Sequence, residues 1–237
     1  MISGQRAVFW CAVVGILCSL ATGAAEKGKG RKAKGKRPRR PNPALQQIED
    51  VKGLPRVLLI GDSISMGYTI PTRGLLDGKA NVHRIPTNGG DTNRGINSIE
   101  KWLGEKKWDV IHFNWGLHDL KRMDGKTHGV SLEQYAKNLG QLVARLKKTG
   151  AKLIWASTTP VPEGELKPAR SDADVVAYNA AAGAVMGANG VAIDDLYAFA
   201  LPILGEIQRP VNVHFFPDGS KKLAGKVASM IEGALAE

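Results

Sequence analysis

Two side chains in this sequence could together make a nucleophile: the hydroxyl of Ser63 and the imidazole of His214. A serine hydroxyl attacks poorly until a neighbouring base takes its proton, and an imidazole can take it near neutral pH. Ser63 ends the run Val57-Leu58-Leu59-Ile60-Gly61-Asp62-Ser63, an apolar stretch stopped by a turn. Taken alone, Gly-Asp-Ser is a common tripeptide, and a polar turn after a core strand is the competing reading. Other polar groups follow in order: Gly90 in Thr87-Asn88-Gly89-Gly90-Asp91-Thr92, Asn114 through Asp119, and Thr158. His118, Asp119 and His214 could in principle hold zinc, but that would leave Ser63 without a role, so no metal is expected. His83 and His112 fall in apolar stretches and read as packed, hydrogen-bonded side chains. His128 lies in a polar stretch and reads as solvated.

These groups are useful only if the chain brings them together. The pattern predicts strands over 57–60, 81–85, 108–114, 152–156 and 190–193. Between them it predicts a loop with a short helix over 71–80 and a helix capped by Thr92 or Asn93. Helices over 131–148 and 172–186 follow, with a last one from near Ser220. Ser131 and Gln134 fit a capping box, and Gly150 stops that helix. Alternating strands and helices argue a parallel sheet covered on both faces. Ligands bind outside the carboxyl ends of such strands. Those ends would deliver Ser63, Gly90, His118 and Thr158 to one rim, within reach of His214.

The first forty residues differ from the rest. Arg6 precedes an apolar run over 7–21 and small residues to Ala25, the layout of a cleaved secretory signal. The run is shorter than the roughly 20 residues that span a bilayer, so residues 1–25 read as a signal peptide and the protein as exported, with an uncleaved anchor as the competing reading. Both cysteines, Cys11 and Cys18, lie there, leaving no disulfide or thiol chemistry beyond it. Residues 26–40 hold nine Lys/Arg and one Glu. With 41–54 they read as a basic disordered tail and lead-in. That tail could bind an anionic surface or polymer, or act as a solvated tether. Of the chain's net charge of +11, only +2 belongs to residues 41–237. Basic and aromatic residues are not interleaved, so specific nucleic-acid reading is not expected.

In order and spacing, Gly61-Asp62-Ser63, Gly90, Gly116-Leu117-His118-Asp119 and Val213-His214 resemble the sequence blocks of the SGNH (GDSL-type) hydrolase family. The resemblance covers nearly all of a domain over 55–237. It implies a flavodoxin-like three-layer α/β/α sandwich with a five-stranded parallel sheet, and ester hydrolysis without metal or cofactor. Ser63 would be the nucleophile and His214 its base. The N–H groups of Ser63 and Gly90 would form part of an oxyanion hole. Two positions depart from the family pattern. His118 stands where an oxyanion-binding asparagine is expected; it is favoured as the donor, with Asn114 as the alternative. Val211 stands where the acid of the triad is expected. Asp195, Asn212 or a backbone carbonyl could orient His214 instead, or the hydrolase is weak or inactive. Asp62, Trp115 and Thr158 are candidate substrate contacts, with Trp115 either a sugar platform or core. The reading is an exported serine esterase that releases a small acyl group, most simply acetyl, from a carbohydrate. A lipid esterase or thioesterase of the same fold, and a catalytically silent glycan-binding module, remain open.

Overall fold

The computed structural model describes residues 41–237. The expected signal peptide and basic segment lie outside the described residues. Five strands form one sheet: β1 (Arg56–Ile60), β2 (Asn81–Arg84), β3 (Val110–Phe113), β4 (Lys152–Ala156) and β5 (Ala192–Asp194). Their order is β2-β1-β3-β4-β5, and every pairing is parallel. The strands alternate with α1 (Ser63–Leu75), α2 (Thr92–Leu103), α3 (Leu132–Lys147) and α4 (Asp172–Asn189). Two short helices, α5 (Leu196–Ala200) and α6 (Leu204–Ile207), lead to α7 (Pro217–Ala236).

Successive strand residues point to opposite faces, so the sheet builds two cores. Leu58, Ile60, Ile111, Phe113 and Trp155 pack with side chains of α2, α3 and α4. Val57, Leu59, Val110 and Ile154 pack with Tyr68 of α1 and with Leu223, Val227 and Ile231 of α7. Every residue of β2 and β3 is buried, as expected for parallel strands covered on both faces. The architecture is the three-layer α/β/α sandwich.

Three local expectations change. The short helix expected within 71–80 is instead the end of α1, which begins at Ser63 and runs through Pro71 to Leu75, with a turn over 76–79 after it. Proline costs a helix one N–H, but Tyr68, Thr69 and Thr72 are buried on this helix, so packing outweighs propensity. The threonine hydroxyls donate to the carbonyls of Ser65 and Tyr68. The last helix starts three residues before Ser220, with Pro217 at its first turn, where no N–H is needed. Asp91, not Thr92 or Asn93, caps α2 by accepting from the Arg94 N–H at 2.9 Å.

The histidines outside the rim are structural. His83 Nε2 lies 2.6 Å from Asp50 Oδ1. His112 Nε2 lies 2.9 Å from Asp194 Oδ2, both side chains fully buried. His128 is packed, not solvated: its ring stands edge-on to Tyr178 and 3.1 Å from the Asp174 carboxylate.

Trp115 is core. It is 1% exposed and lies against Gly95 of α2, where a Cβ would come within 2.9 Å of the indole. The sugar-platform reading of Trp115 is therefore corrected. Gly95→Ala should overpack this contact and cost about 1–3 kcal/mol. Denaturant unfolding should show a lower midpoint with an unchanged slope; an unaltered midpoint would contradict the packing described.

Candidate active site

β1 stops at Ile60 and the chain turns through Gly61 and Asp62 into α1. Asp62 caps the helix: its Oδ1 accepts from the Ile64 N–H at 2.9 Å. Its carboxylate is therefore a buried cap, not an open substrate contact. Ser63 is the first helical residue, so its N–H is one of the donors that a helix start leaves unpaired.

The turn is held from below by Arg84, the last residue of β2. Its guanidinium is buried and has no carboxylate partner among the described residues. Nη2 lies 2.8 Å from each of Gly61 O, Asp62 O and Ser65 Oγ. Nη1 donates to Ile85 O at 3.0 Å and Thr87 O at 2.7 Å. One side chain thus ties the loop after β1 to the loop after β2. Burial lowers its pKa to about 10, so it stays charged at neutral pH. Gly89 closes the same joint. Its N–H donates to Gly61 O at 2.8 Å, and a Cβ there would strike that oxygen.

His214 comes from the loop between α6 and α7. That loop is a narrow hairpin: Arg209 N–H donates to His214 O, Phe216 N–H to Ile207 O, and Gln208 pairs with Phe215. The buried Gln208 amide pins it by donating to Pro160 O at 2.8 Å and Val213 O at 3.3 Å. His214 Nε2 lies 2.9 Å from Ser63 Oγ, and Nδ1 lies 2.7 Å from Asn212 Oδ1. The same amide oxygen accepts from the His214 backbone N–H at 2.9 Å. An amide oxygen only accepts, so it places the ring proton on Nδ1 and leaves the Nε2 lone pair toward Ser63. Val211, just before, has φ 47°, the one positive value outside glycine among the described residues. This conformation is strained for a β-branched side chain, and it lies in the turn that curls Asn212 back to the ring.

The remaining candidates divide. Asp195 does not serve His214: its Oδ1 accepts from Ser157 Oγ at 2.8 Å and from the Ala198 N–H at the start of α5. Asn114 donates to Ala156 O at 2.8 Å and lies 3.3 Å from Thr158 Oγ1, so its amide is spent between β3 and β4. Thr158 is buried, its N–H on Asn179 Oδ1. Asp119 accepts from the N–H and hydroxyl of Thr92 at 2.8 and 2.6 Å, fastening α2 to the loop after β3. Burial raises its pKa to about 7, and its bonds to Thr92 make it a buried strut. His118 does line the cleft beside Ser63 and His214, its Nε2 4.0 Å from Asp62 Oδ2. Gly90 sits at φ 64°, and its N–H donates to Asn88 Oδ1 at 2.8 Å. Asn88 lines the same cleft, a residue that sequence reasoning passed over.

The cleft has two arms meeting at Ser63 and His214. One, of about 610 Å³, passes Asn42, Met66 and Arg209; the other, of about 270 Å³, passes Asn88, His118 and Arg170. Behind Ile64 and Leu117 there is room for only about 10 Å³. Burial lowers the His214 pKa; the charge of Asp62 opposes this, while Arg209 and Arg170 add to it. His118 is lowered by burial as well, again opposed by Asp62. Both rings are therefore mainly neutral at pH 7: one is a ready base, the other a ready N–H donor.

The sequence pattern of the GDSL-like Lipase/Acylhydrolase family matches residues 59–222, from β1 into α7. No curated protein matches the chain. Solved structures share its fold. An acetyl xylan esterase superposes with TM-score 0.65 at 19% identity, over 74% of this chain and 99% of that one. A lipase/acylhydrolase from Enterococcus faecalis gives 0.66 at 19%, over 76% and 96%. An acetylxylan esterase from Geobacillus stearothermophilus gives 0.63 at 19%, over 75% and 94%.

The electrostatics of His214 can be read directly. In an NMR titration its ring should protonate with a midpoint below 6.5. Asn212→Asp places a negative charge on Nδ1 and should raise that midpoint by roughly one pH unit or more. A midpoint that stays put in the variant would show that residue 212 does not face the ring.

Proposed function

From the premise that this chain belongs to the GDSL-like lipase/acylhydrolase family, and is thus an ester-hydrolysing serine hydrolase, we propose a triad of Ser63, His214 and Asn212 acting on a short acyl ester of a carbohydrate. The observation that carries the reading is the unbroken line Ser63 Oγ, His214 Nε2, His214 Nδ1, Asn212 Oδ1. Ser63 Oγ attacks the acyl carbonyl carbon while its proton passes to His214 Nε2. The Nδ1 proton stays on its bond to Asn212. A histidine oriented by an asparagine is a known variant of the serine-type triad. Asn212 contributes no charge toward the imidazolium, so Asp62 supplies the through-space attraction.

The negative oxygen of the tetrahedral intermediate is received by the Ser63 N–H and the neutral imidazole of His118. The Asn88 side-chain N–H can join them, as can the Gly90 N–H once it leaves Asn88 Oδ1. Such donors are typically worth ~100- to 1000-fold each. His214 then returns its proton to the departing alcohol. Water, activated by the same imidazole, frees the acyl group and restores Ser63.

The two-armed cleft that meets at Ser63 and His214 supports a bulky alcohol. Fold likeness to acetyl xylan esterases is consistent with acetyl on a saccharide. No specific feature of the cleft favours a long-chain lipid ester or thioester. Export is part of the proposal and rests on the sequence of residues 1–25 alone. So does binding of an anionic surface or polymer by residues 26–40.

Ser63→Ala should lower kcat on p-nitrophenyl acetate by on the order of 10⁴-fold or more. Across p-nitrophenyl esters, kcat/KM should fall steeply from acetyl to octanoyl. Undiminished turnover by Ser63→Ala would remove the serine mechanism. A maximum at octanoyl would point to a lipid substrate, and measurable glycan binding without turnover to a silent module.

A further inference from the structure

Both arms of the cleft are lined by cations and by no carboxylate. Arg209 and Lys221 stand along the larger arm, Lys167 and Arg170 along the smaller. This is not the general character of the domain, since residues 41–237 carry a net charge of only +2. Lys221 is partly offset by Asp218, 2.9 Å away at the surface. Among the described residues, Arg170 and Arg209 have no acidic partner within 4 Å. Three of the six other described arginines do meet a carboxylate. Arg56 meets Asp50, Arg122 meets Asp174 and Arg145 meets Glu100.

Arg170 is the more telling of the two. It is half-buried, and its guanidinium is fixed by two backbone carbonyls: Nε donates to Leu117 O at 2.9 Å and Nη1 to Pro168 O at 3.3 Å. Nη2 makes no hydrogen bond within the described residues. Leu117 is next to His118, so the anchored fork sits at the reacting centre. Its charge is felt by His214 and His118, and that of Asp62 reaches back to it. Burying a guanidinium beside neutral carbonyls is costly unless something completes its hydrogen bonds. A fork already held in one orientation loses little entropy on binding a planar or tetrahedral anion.

We propose that the alcohol half of the substrate is an acidic saccharide, its carboxylate or sulfate held by Arg170 beside the scissile ester and the next charge along the chain by Arg209. This rests on the esterase reading above and narrows its substrate. The two arginines lie in opposite arms of the cleft, so the ligand is a chain that crosses Ser63, with charge on both sides of the acylated unit. A single charged acid would engage only one arm.

The test compares three acetylated oligosaccharides of equal length: a neutral xylo-oligosaccharide, a uronate-containing one and a sulfated one. Acetate release is measured for the wild type, Arg170→Gln, Arg170→Lys, Arg209→Gln and the double glutamine variant, each checked for an unchanged thermal transition. The wild type should favour at least one acidic substrate over the neutral one by roughly tenfold in kcat/KM, mostly through KM. Added salt should erode that preference. The double variant should bring the ratio to about one, and Arg170→Lys should fall between, since it keeps the charge but lacks the fork. Whether the uronate or the sulfated arm shows the preference identifies the anion.

A ratio near one in the wild type, or a preference that survives in the double variant, would overturn the proposal. Faster cleavage of an anionic acylated lipid than of any saccharide would overturn it in favour of a membrane substrate. Hydrolysis of p-nitrophenyl acetate separates the two levels. If it proceeds while the acidic preference is missing, only this inference falls. If it is absent, the esterase reading falls and takes this one with it.

Discussion

Everything at the rim depends on one guanidinium buried where two parallel strands end. Arg84 reaches from β2 under the turn after β1 and contacts carbonyl oxygens from both loops. A buried charge without a counter-ion would normally destabilise a core. Here carbonyls of two sharp turns converge on it, and Gly61 O and Asp62 O also accept from the N–H groups of Gly89 and Met66. The carbonyls solvate the charge, and the charge draws the two turns together. A lysine could not, because it lacks the planar fork that meets acceptors on both sides. Ser63 and Gly90 are therefore presented by a single joint, not by two independent loops.

The second constraint is the choice of a neutral group behind His214. A carboxylate at this place would favour the protonated ring; an amide oxygen fixes the tautomer without doing so. Burial and the two arginines of the cleft push the same way, toward a neutral base. Asp62 is the opposing charge, and its own place is fixed by capping α1. The acid–base balance of the pair is thus set by a helix cap and by the lining of the cleft together. A substrate anion drawn to that lining would offset the arginines at the moment the ring must accept a proton. The cations that suppress the base in the empty cleft would then do less harm once the cleft is filled.

The buried polar groups around the site serve position. Asp119 ties the loop after β3 to the first turn of α2, and Asn114 ties β3 to β4. Asp195 braces the end of β4 against α5 through Ser157. Each was chemically eligible for catalysis by residue type. Each is instead committed to a structural tie.

The sequence by itself determined the layers, the alternation and the two ends of the line, because apolar periodicity and strand-ending turns are local signals. Ser63 after the first strand and His214 before the last helix follow from that periodicity together with a family resemblance. It left open which side chain faces the far nitrogen of His214. The answer depends on the unusual backbone of Val211 and on a hairpin pinned by Gln208, features that no local pattern announces. Nor could it show that Trp115 and Thr158 are core, since burial is a property of what packs from elsewhere in the chain. Arg84 and Arg170 read as ordinary charges in the sequence. Only the fold, by closing distant carbonyls around one and leaving the other open to the cleft, gave them different work.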